Sequence, residues 1–423
     1  MNEFKGKKLL ITGGCRLAED IVKAAKEMGI YTIVVDWHNP HVSPAKLVSD
    51  EYWNEDIKDY DRLISLIKEK KVDGVTTGFT DSYLIPYAEL CEKAGLPYYA
   101  TASLFQKTLD KKLFKEMCRN NGVPVVPEYD LQTFNPLKIS KSHKIIIKPV
   151  DNSGSRGIVI CDNPANYQEC IDFALSYSEK KQIVIERFME MEQISVSYTI
   201  QDGVPSLSTI NDDLLYRSSN GGTVNCGGIY PSKYINFYRE EIDDKVKNML
   251  VKEGFRNGVL FMQAFCDGKE LYFFEMGYRL SGGRHYIFTD HQNKSSSLKQ
   301  LIHFALTGKM ADYRIADRDD ALFHDYCCRF NLIGKSGIIS KIEGFVDLQK
   351  RKEVIYASLL KNVGEEVGMP GTTSTQLLGA YVVTKDFNHF KQLFIDIQNN
   401  VKFLDKEGNN LVVPNKYEVS GNT

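Results

Sequence analysis

The sequence predicts a mixed chain in three parts: an α/β lobe with a parallel, Rossmann-like sheet, an α+β body, and a small C-terminal α/β domain. Three observations predict it. The first hundred residues alternate apolar strand runs with amphipathic helices, the signature of βαβ units. From Thr108 β-rich runs dominate, and near Asp320 the pattern becomes short strands and turns. The expected units are therefore residues 1–107, residues 108–319 with a lid subdomain at about 113–188, and residues 320–423.

Taken in order, KKLLIT (7–12) reads as a strand, Gly13-Gly14 as a turn, and Leu17 to Met28 as a helix by its apolar spacing. YTIVVD is a second strand ending at Asp36, Tyr60 to Lys70 a helix, and DGVTTG (73–78) a further strand. In a parallel sheet the loops after these strands, including Gly78 to Ser82, face the ligand cleft. The helix in LDKKLFKEMCRNNG (109–122) starts at Asp110 as N-cap and stops at Gly122, with Pro124 just beyond. Strand runs follow at HKIIIKPV (143–150), GIVI (157–160), QIVIERF (182–188) and ISVSYTI (194–200). The Gly-rich interval NGGTVNCGG (220–228) reads as an interruption, and Arg239 to Glu253 as a helix. GVLFMQAF (258–265) and ELYFFEM (270–276) form a hairpin about Asp267-Gly268. GIISKIEGF (337–345), LLGAYVVTK (377–385) and a helix from Phe387 to Asn399 complete the chain.

Bulk composition excludes several classes of function. With 53 Lys plus Arg against 55 Asp plus Glu, the net charge of -2 supplies no field for nucleic acid or an anionic membrane. No stretch approaches the roughly 20 apolar residues that span a bilayer, and a cytoplasmic location is expected. The nine cysteines are odd in number, scattered, and never spaced C-x-x-C. That argues against a disulfide framework or a zinc site.

The segment that carries most chemistry is KPVDNSGSRGIV (148–159). A strand ending in Lys148, a loop with Ser153, Gly154, Ser155 and Gly157, and a returning strand can lay backbone N–H groups on a polyphosphate while the lysine adds charge. An ordinary hairpin loop is the plainer account of the same residues. It is not a P-loop, because strand rather than helix follows, and Gly334-Lys335-Ser336 lacks the upstream glycine. Gly13-Gly14 likewise departs from the dinucleotide fingerprint.

With its neighbouring motifs this segment resembles the ATP-grasp superfamily, which includes biotin carboxylase, carbamoyl-phosphate synthetase, D-alanine-D-alanine ligase and the L-amino-acid ligases. The resemblance covers most of the chain and implies a Rossmann-like N-lobe, an ATP-grasp fold and a small C-terminal α/β domain. It implies ATP as nucleotide and Mg2+ as metal, with Mn2+ as substitute. Lys111 matches the upstream phosphate lysine and Lys148 the one that opens the Gly-rich lid. In IVIERFMEMEQISVSYTI, Glu186, Arg187 and Phe188 match the adenine hinge; Gln193, with Glu192 beside it, falls at the ribose position. Gln263 and Glu275 match the metal pair, and Gly277 stands where the family usually has asparagine. Arg279 matches the catalytic arginine that faces the transferring phosphoryl group and the substrate carboxylate. Ser281, Gly282 and Gly283 would line the same pocket, with Arg284 and His285 as further substrate contacts.

The implied reaction is activation of a small carboxylate, an amino acid being one candidate, as an acyl phosphate that an amine captures. Two alternatives stay open: an ATP-grasp carboxylase or carbamoyl-phosphate-type enzyme, and a non-catalytic ATP-binding protein of the same fold. The expected partners are the small carboxylate and amine, with no nucleic acid and no membrane, and similar enzymes imply a homodimer. Specificity is expected in the loops Gly78–Tyr83, Asn211–Tyr230 and Arg284–His291.

Overall fold

The computed structural model describes residues 4–130, 144–150, 157–217, 223–369 and 371–414. The N-terminal lobe alternates as the sequence predicts: β1 (Lys8–Thr12), α1 (Ala18–Glu27), β2 (Tyr31–Val35), α2 (Ala45–Val48), β3 (Glu51–Trp53), α3 (Tyr60–Lys70) and β4 (Gly74–Thr77). Its strands are parallel, in the order β3-β2-β1-β4. Leu9, Leu10, Ile11, Ile33, Val34 and Val35 are all buried; buried on both faces, parallel strands read as continuous apolar runs. The carboxyl ends of β1 and β4 release the loops that reach the site.

α4 (Leu84–Ala94), α5 (Ala102–Leu109) and α6 (Lys111–Asn120) lead out of the lobe. Asp110 caps α6 as expected, its carboxylate accepting from the amides of Lys112 at 2.8 Å and Leu113 at 3.1 Å. A separate four-stranded antiparallel sheet follows, from β5 (Glu128–Tyr129), β6 (Ile145–Pro149), β7 (Val159–Cys161) and β8 (Ile183–Arg187), backed by α7 (Tyr167–Ser176). Ile145, Ile147, Ile171, Ala174 and Ile185 give it a core of its own.

The central sheet contains β9 (Glu192–Gln201), β10 (Val204–Arg217), β11 (Thr223–Tyr230), β12 (Gly258–Cys266), β13 (Leu271–Gly277) and β14 (Tyr326–Ile333). Between β11 and β12 lie α8 (Ile235–Glu241) and α9 (Asp243–Lys252), and between β13 and β14 lie α10 (Tyr286–Asn293) and α11 (Ser297–Thr307). The C-terminal part adds β15 (Gly337–Ile338), β16 (Lys341–Glu343), α12 (Phe345–Gln349), β17 (Val354–Leu359), β18 (Glu366–Val367), β19 (Gln376–Thr384), α13 (Phe387–Asn400) and β20 (Lys402–Leu404). One eight-stranded sheet runs β13-β12-β9-β10-β11-β14-β19-β17. The C-terminal strands thus extend the central sheet across the expected boundary at residue 320, and Leu214, Cys226 and Ile229 share a core with Phe330, Val382 and Phe394.

Three expectations are corrected. The Gly-rich interval is not an interruption: residues 223–230 are strand β11. Its glycines permit close approach, since a Cβ on Gly227 would lie 2.4 Å from the Arg329 carbonyl of β14. The helix expected from Arg239 to Glu253 is two helices, parted at Ile242, whose ψ of -42 accompanies a φ of -122. Asp243, which opens the second, accepts from Tyr198 Oη at 2.6 Å and Lys247 Nζ at 2.7 Å. Finally, the span from Asn211 to Tyr230 is largely paired strand. Among the described residues all nine cysteines are free thiols. No helix among them is long and apolar enough to cross a membrane.

Candidate functional site

A cavity of about 590 Å³ opens where the N-terminal lobe, the central sheet and the C-terminal strands meet. Arg16 and Phe79 line it from loops after β1 and β4, Gln263 and Glu275 from β12 and β13, and Arg329 and Tyr381 from β14 and β19.

Gln263 and Glu275 are cross-strand partners, so pleating turns both side chains to one face. Gln263 also pairs across β9 with Ser195. Glu275 is exposed to the cavity and makes no ion pair among the described residues. Surrounding protein raises its carboxyl above the ordinary value, an effect that Asp81 reinforces and that Lys111 and Arg279 oppose. A carboxylate with no cation of its own beside an amide oxygen is a donor set that suits Mg2+, a hard ion held by a few oxygens plus water. Lys111, exposed at the first position of α6, is close enough for its charge to act on Glu275.

Arg279 is held at its donor face. Its Nε donates to Asp81 Oδ1 at 2.5 Å and its Nη2 to Asp81 Oδ2 at 2.9 Å, while Nη1 donates to the Leu280 carbonyl at 3.0 Å. The guanidinium also lies 5.2 Å from the ring centroid of Phe261. That ring occupies the space next to Gly277, where a Cβ would fall 2.4 Å from the ring edge. The position at which the family usually carries asparagine is therefore packed by an aromatic face.

Lys148 and Glu186 meet in the small sheet, where Lys148 Nζ donates to Glu186 Oε2. Lys115, nearly fully buried, donates to Glu186 Oε1 and, at 2.5 Å, to Glu128. Burial alone would raise the Glu186 carboxyl; Lys148 and Lys115 outweigh it and hold it below the ordinary range. Ser153, Gly154 and Ser155 lie outside the described residues. Gly157 has φ +76, and a Cβ there would stand 2.4 Å from Tyr177 Cβ, so packing by itself requires glycine. In the segment expected to form the hinge, the Arg187 amide donates to Pro127 O at 3.0 Å and that of Phe188 to Lys144 O at 2.8 Å. Gln193 shares the cavity face of β9 with Ser195 and reaches Asp213 at 2.9 Å. Glu192 points to the opposite face and pairs with Lys233 at 2.6 Å.

Ser281, Gly282 and Gly283 line the cavity, and Ser281 Oγ accepts the Gly283 amide at 3.1 Å. Arg284 is occupied elsewhere: deeply buried with φ +52, it pairs with Asp20 of α1 at 3.1 Å and donates to Ser358 Oγ of β17 at 2.7 Å. It ties three parts of the chain together. His285 is buried with Nδ1 2.5 Å from Ser197 Oγ; burial and the Arg329 charge push it down to about 3, so it is neutral at physiological pH.

Asp81 and Arg329 were not singled out by the sequence, whereas Asp213 fell in the span Asn211–Tyr230 expected to confer specificity. Asp81 fell in a loop expected to confer specificity, but Arg329 sits in CCRFNLI, which reads as plain strand. Asp36, which ends β2 as a ribose-binding acid would, is used up by its own loop: it accepts from the Gly14 amide at 2.8 Å, Ser43 Oγ at 3.0 Å and the His38 amide at 2.9 Å.

Residues 108–283 match the ATP-grasp domain family. They form an ATP-grasp domain. The domain holds the small four-stranded sheet, Glu186 to Phe188, Gln263, Glu275 and Arg279. The chain is 27% identical over 208 residues to the 2-oxoglutarate carboxylase small subunit of Hydrogenobacter thermophilus, covering 44% of this chain and 43% of that one. It spans about half the length, or less, of the curated relatives it matches. Phosphoribosylglycinamide synthetase from Anaerococcus prevotii is similar in fold, with a TM-score of 0.77 and 19% identity over 95% of this chain and 100% of that one. L-amino acid ligase from Bacillus licheniformis has a TM-score of 0.75 and 17% identity over 95% and 99% of the two chains.

Proposed function

We propose that the chain is a cytoplasmic Mg-ATP-dependent ligase that activates a small carboxylate as an acyl phosphate and joins it to an amine, releasing ADP and phosphate. The observation that carries this reading is the convergence of Glu275, Gln263 and Arg279 on one cavity at the edge of the ATP-grasp domain, with Lys111 near enough for its charge to act on Glu275. Residues 1–107 would supply the Asp81 loop, 108–319 the nucleotide cleft, and 320–423 the far wall.

Lys111 and Lys148, with the loop amides of residues 153–157, would hold the nucleotide phosphates. Glu186, Arg187, Phe188 and Gln193 would border the adenosine; Glu192, on the other face of β9, fits that task less well. Glu275 and the Gln263 oxygen would hold Mg2+, which when bound supplies charge to the β- and γ-phosphate oxygens. Arg279, a planar and permanently charged donor, would orient the carboxylate for in-line attack and take up negative charge as the phosphoryl group transfers. Ser281 to Gly283 would keep the floor of the pocket open beside it. His285, neutral and hydrogen-bonded, would shape the wall without exchanging protons.

Hydroxylamine trapping tests the reading. With Mg-ATP and a panel of carboxylates and amino acids, the purified chain should give hydroxamate and ADP with a narrow set of acids. Thermal stabilisation by Mg-ATP with no hydroxamate from any acid would overturn it in favour of a non-catalytic nucleotide-binding protein.

A further inference from the structure

Asp319 is an acid held without a cation. It follows the short turn Ile315–Asp317, beside β10, and the charged residues around it in sequence are engaged elsewhere. Asp317 meets Arg314 at 3.4 Å, Asp320 meets Arg239, and Arg318 lies 3.7 Å from the ring centroid of Tyr313. No Lys, Arg or His among the described residues stands within ion-pair distance of Asp319 itself. Its Oδ2 accepts from Ser208 Oγ at 2.6 Å, whereas its Oδ1 is buried with no hydrogen-bond partner. Burial pushes the carboxyl above its ordinary value, against the nearby hydroxyls of Ser208, Ser295, Ser206 and Thr199. A buried charge is ordinarily paired or bound to a metal ion, and a partnerless acceptor in a folded interior marks a place for water or an ion.

The groups around Asp319 are oxygens of neutral side chains. Thr199, Ser206, Ser208 and Ser295 are all buried, and Ser208 Oγ lies 2.8 Å from Thr199 Oγ1. Ser295 Oγ accepts from Gln300 Nε2 at 3.0 Å, and Gln300, only 3% exposed, leaves its own Oε1 buried without a partner. Two unsatisfied acceptor oxygens therefore flank one serine, in a cluster that carries a single negative charge. Such a set does not match Ca2+ or Mg2+, which draw on more carboxylates or keep much of their own water. No cluster of three His, Cys, Asp or Glu suited to a transition metal occurs among the described residues. One carboxylate with amide and hydroxyl oxygens balances a monovalent cation, whose hydration shell neutral oxygens can replace.

We infer that Asp319, the hydroxyls of Thr199, Ser206, Ser208 and Ser295, and Gln300 Oε1 hold a monovalent cation, Na+ or K+. The ion would pin the junction of α10 and α11 to β9 and β10, because Ser295 stands at that junction and Ser296 caps α11. Ser208 and Thr199 also line a cavity of about 20 Å³ that Ser281 and His285 share, room for one water molecule. The cation site thus backs onto the glycine turn of the candidate functional site while standing apart from the groups assigned to nucleotide and Mg2+, and it does not rest on the ligase reading.

The test is thermal unfolding of the full chain, dialysed into a tetramethylammonium buffer, as NaCl or KCl replaces tetramethylammonium chloride. Constant ionic strength removes general screening from the comparison. At least one of the two ions should raise the unfolding temperature saturably by about 2 °C or more, and the two arms identify which. Asp319→Asn, which keeps the shape but not the charge, should abolish the response. Ser295→Ala should raise the half-saturating concentration about fivefold, whereas Asp317→Asn, at an exposed acid outside the cluster, should leave it unchanged. Equal unfolding temperatures in Na+, K+ and tetramethylammonium would overturn the inference and leave Asp319 a neutral buried acid. So would an undiminished response in both Asp319→Asn and Ser295→Ala, or an Asp319-dependent response to Mg2+ with none to either monovalent ion.

Discussion

Asp81 of the N-terminal lobe grips Arg279 of the ATP-grasp domain by two parallel hydrogen bonds, at 2.5 and 2.9 Å. The loop after β4 thereby sets the guanidinium at the Glu275 end of the cavity. Fork-to-carboxylate pairing adds direction as well as energy, and Asp81, half exposed, can yield when a substrate anion competes.

Asp81→Ala should therefore act on catalysis more than on stability. A partly solvated pair contributes about 0–1 kcal/mol to folding, whereas a loosened arginine should lower kcat/KM by about tenfold. A double-mutant cycle checks it: if Asp81 works through Arg279, adding Asp81→Ala to Arg279→Ala should change kcat/KM little further.

Glu275→Gln and Arg279→Ala should each reduce ADP release by about a hundredfold or more, the scale of losing one electrostatic donor to the transition state. Circular dichroism and unfolding temperature should remain close to those of the parent, because neither side chain belongs to the apolar core. Near-normal turnover in both variants would reject the site.

Gly277→Asn, which restores the residue usual in similar proteins, should destabilise instead of improving the site. Its Cβ would fall 2.4 Å from the Phe261 ring, and such overpacking costs about 1–3 kcal/mol. Urea unfolding should show the loss, and Phe261→Ala in the same chain should recover part of it. Wild-type protein with bound nucleotide should titrate with fewer Mn2+ ions than the double variant.

Two carboxylates should give opposite pH signatures. Glu186 is held below its ordinary value by Lys148 and Lys115 against burial, so its stabilisation is present above the unfolded carboxyl pKa of about 4.3 and is lost as pH falls through the lower folded value. Glu186→Gln should destabilise at pH 7 and flatten the acid limb of the unfolding curve. Asp212 is raised to about 6, chiefly by burial, against hydrogen bonds from Ser232 and Lys233. Its contribution is full below the unfolded value of about 3.9 and is lost as pH rises through 6. Unfolding temperatures of Asp212→Asn should match the parent near pH 4 and exceed it near pH 8.

Much of the fold was legible because local pattern and tertiary environment agree. KLLIT, YTIVV and GVTT lack the polar–apolar alternation of a half-exposed strand because both faces of a parallel sheet are covered, and Asp110 signals the start of α6 by capping chemistry alone. The Gly227-Gly228 strand was illegible because Gly227 answers to the carbonyl of Arg329, a neighbour a hundred residues away, and Gly228 to the side chain of Asn211 on the adjoining strand. The same holds at the site. Glu275, Gln263 and Arg279 stand in one hairpin whose spacing is readable, whereas Arg329 reads as one more strand residue until β11 brings β14 beside the cavity.

The sequence by itself determined which side chains are available for the chemistry: paired oxygen donors on adjoining strands, two lysines, a planar cation and a glycine turn, together with the periodicities that make the lobes. Tertiary structure alone decided which of them are free to act. Arg284 and Asp36 are consumed by partners distant or local, Glu192 is turned away by the pleat of β9, and Phe261 takes the space beside Gly277. Arg329 is buried against Asn225, within electrostatic reach of Asp213. Hydrogen-bond and charge satisfaction are set by whatever the fold places within about 3 Å, and sequence spacing carries that information only inside a single hairpin or helix.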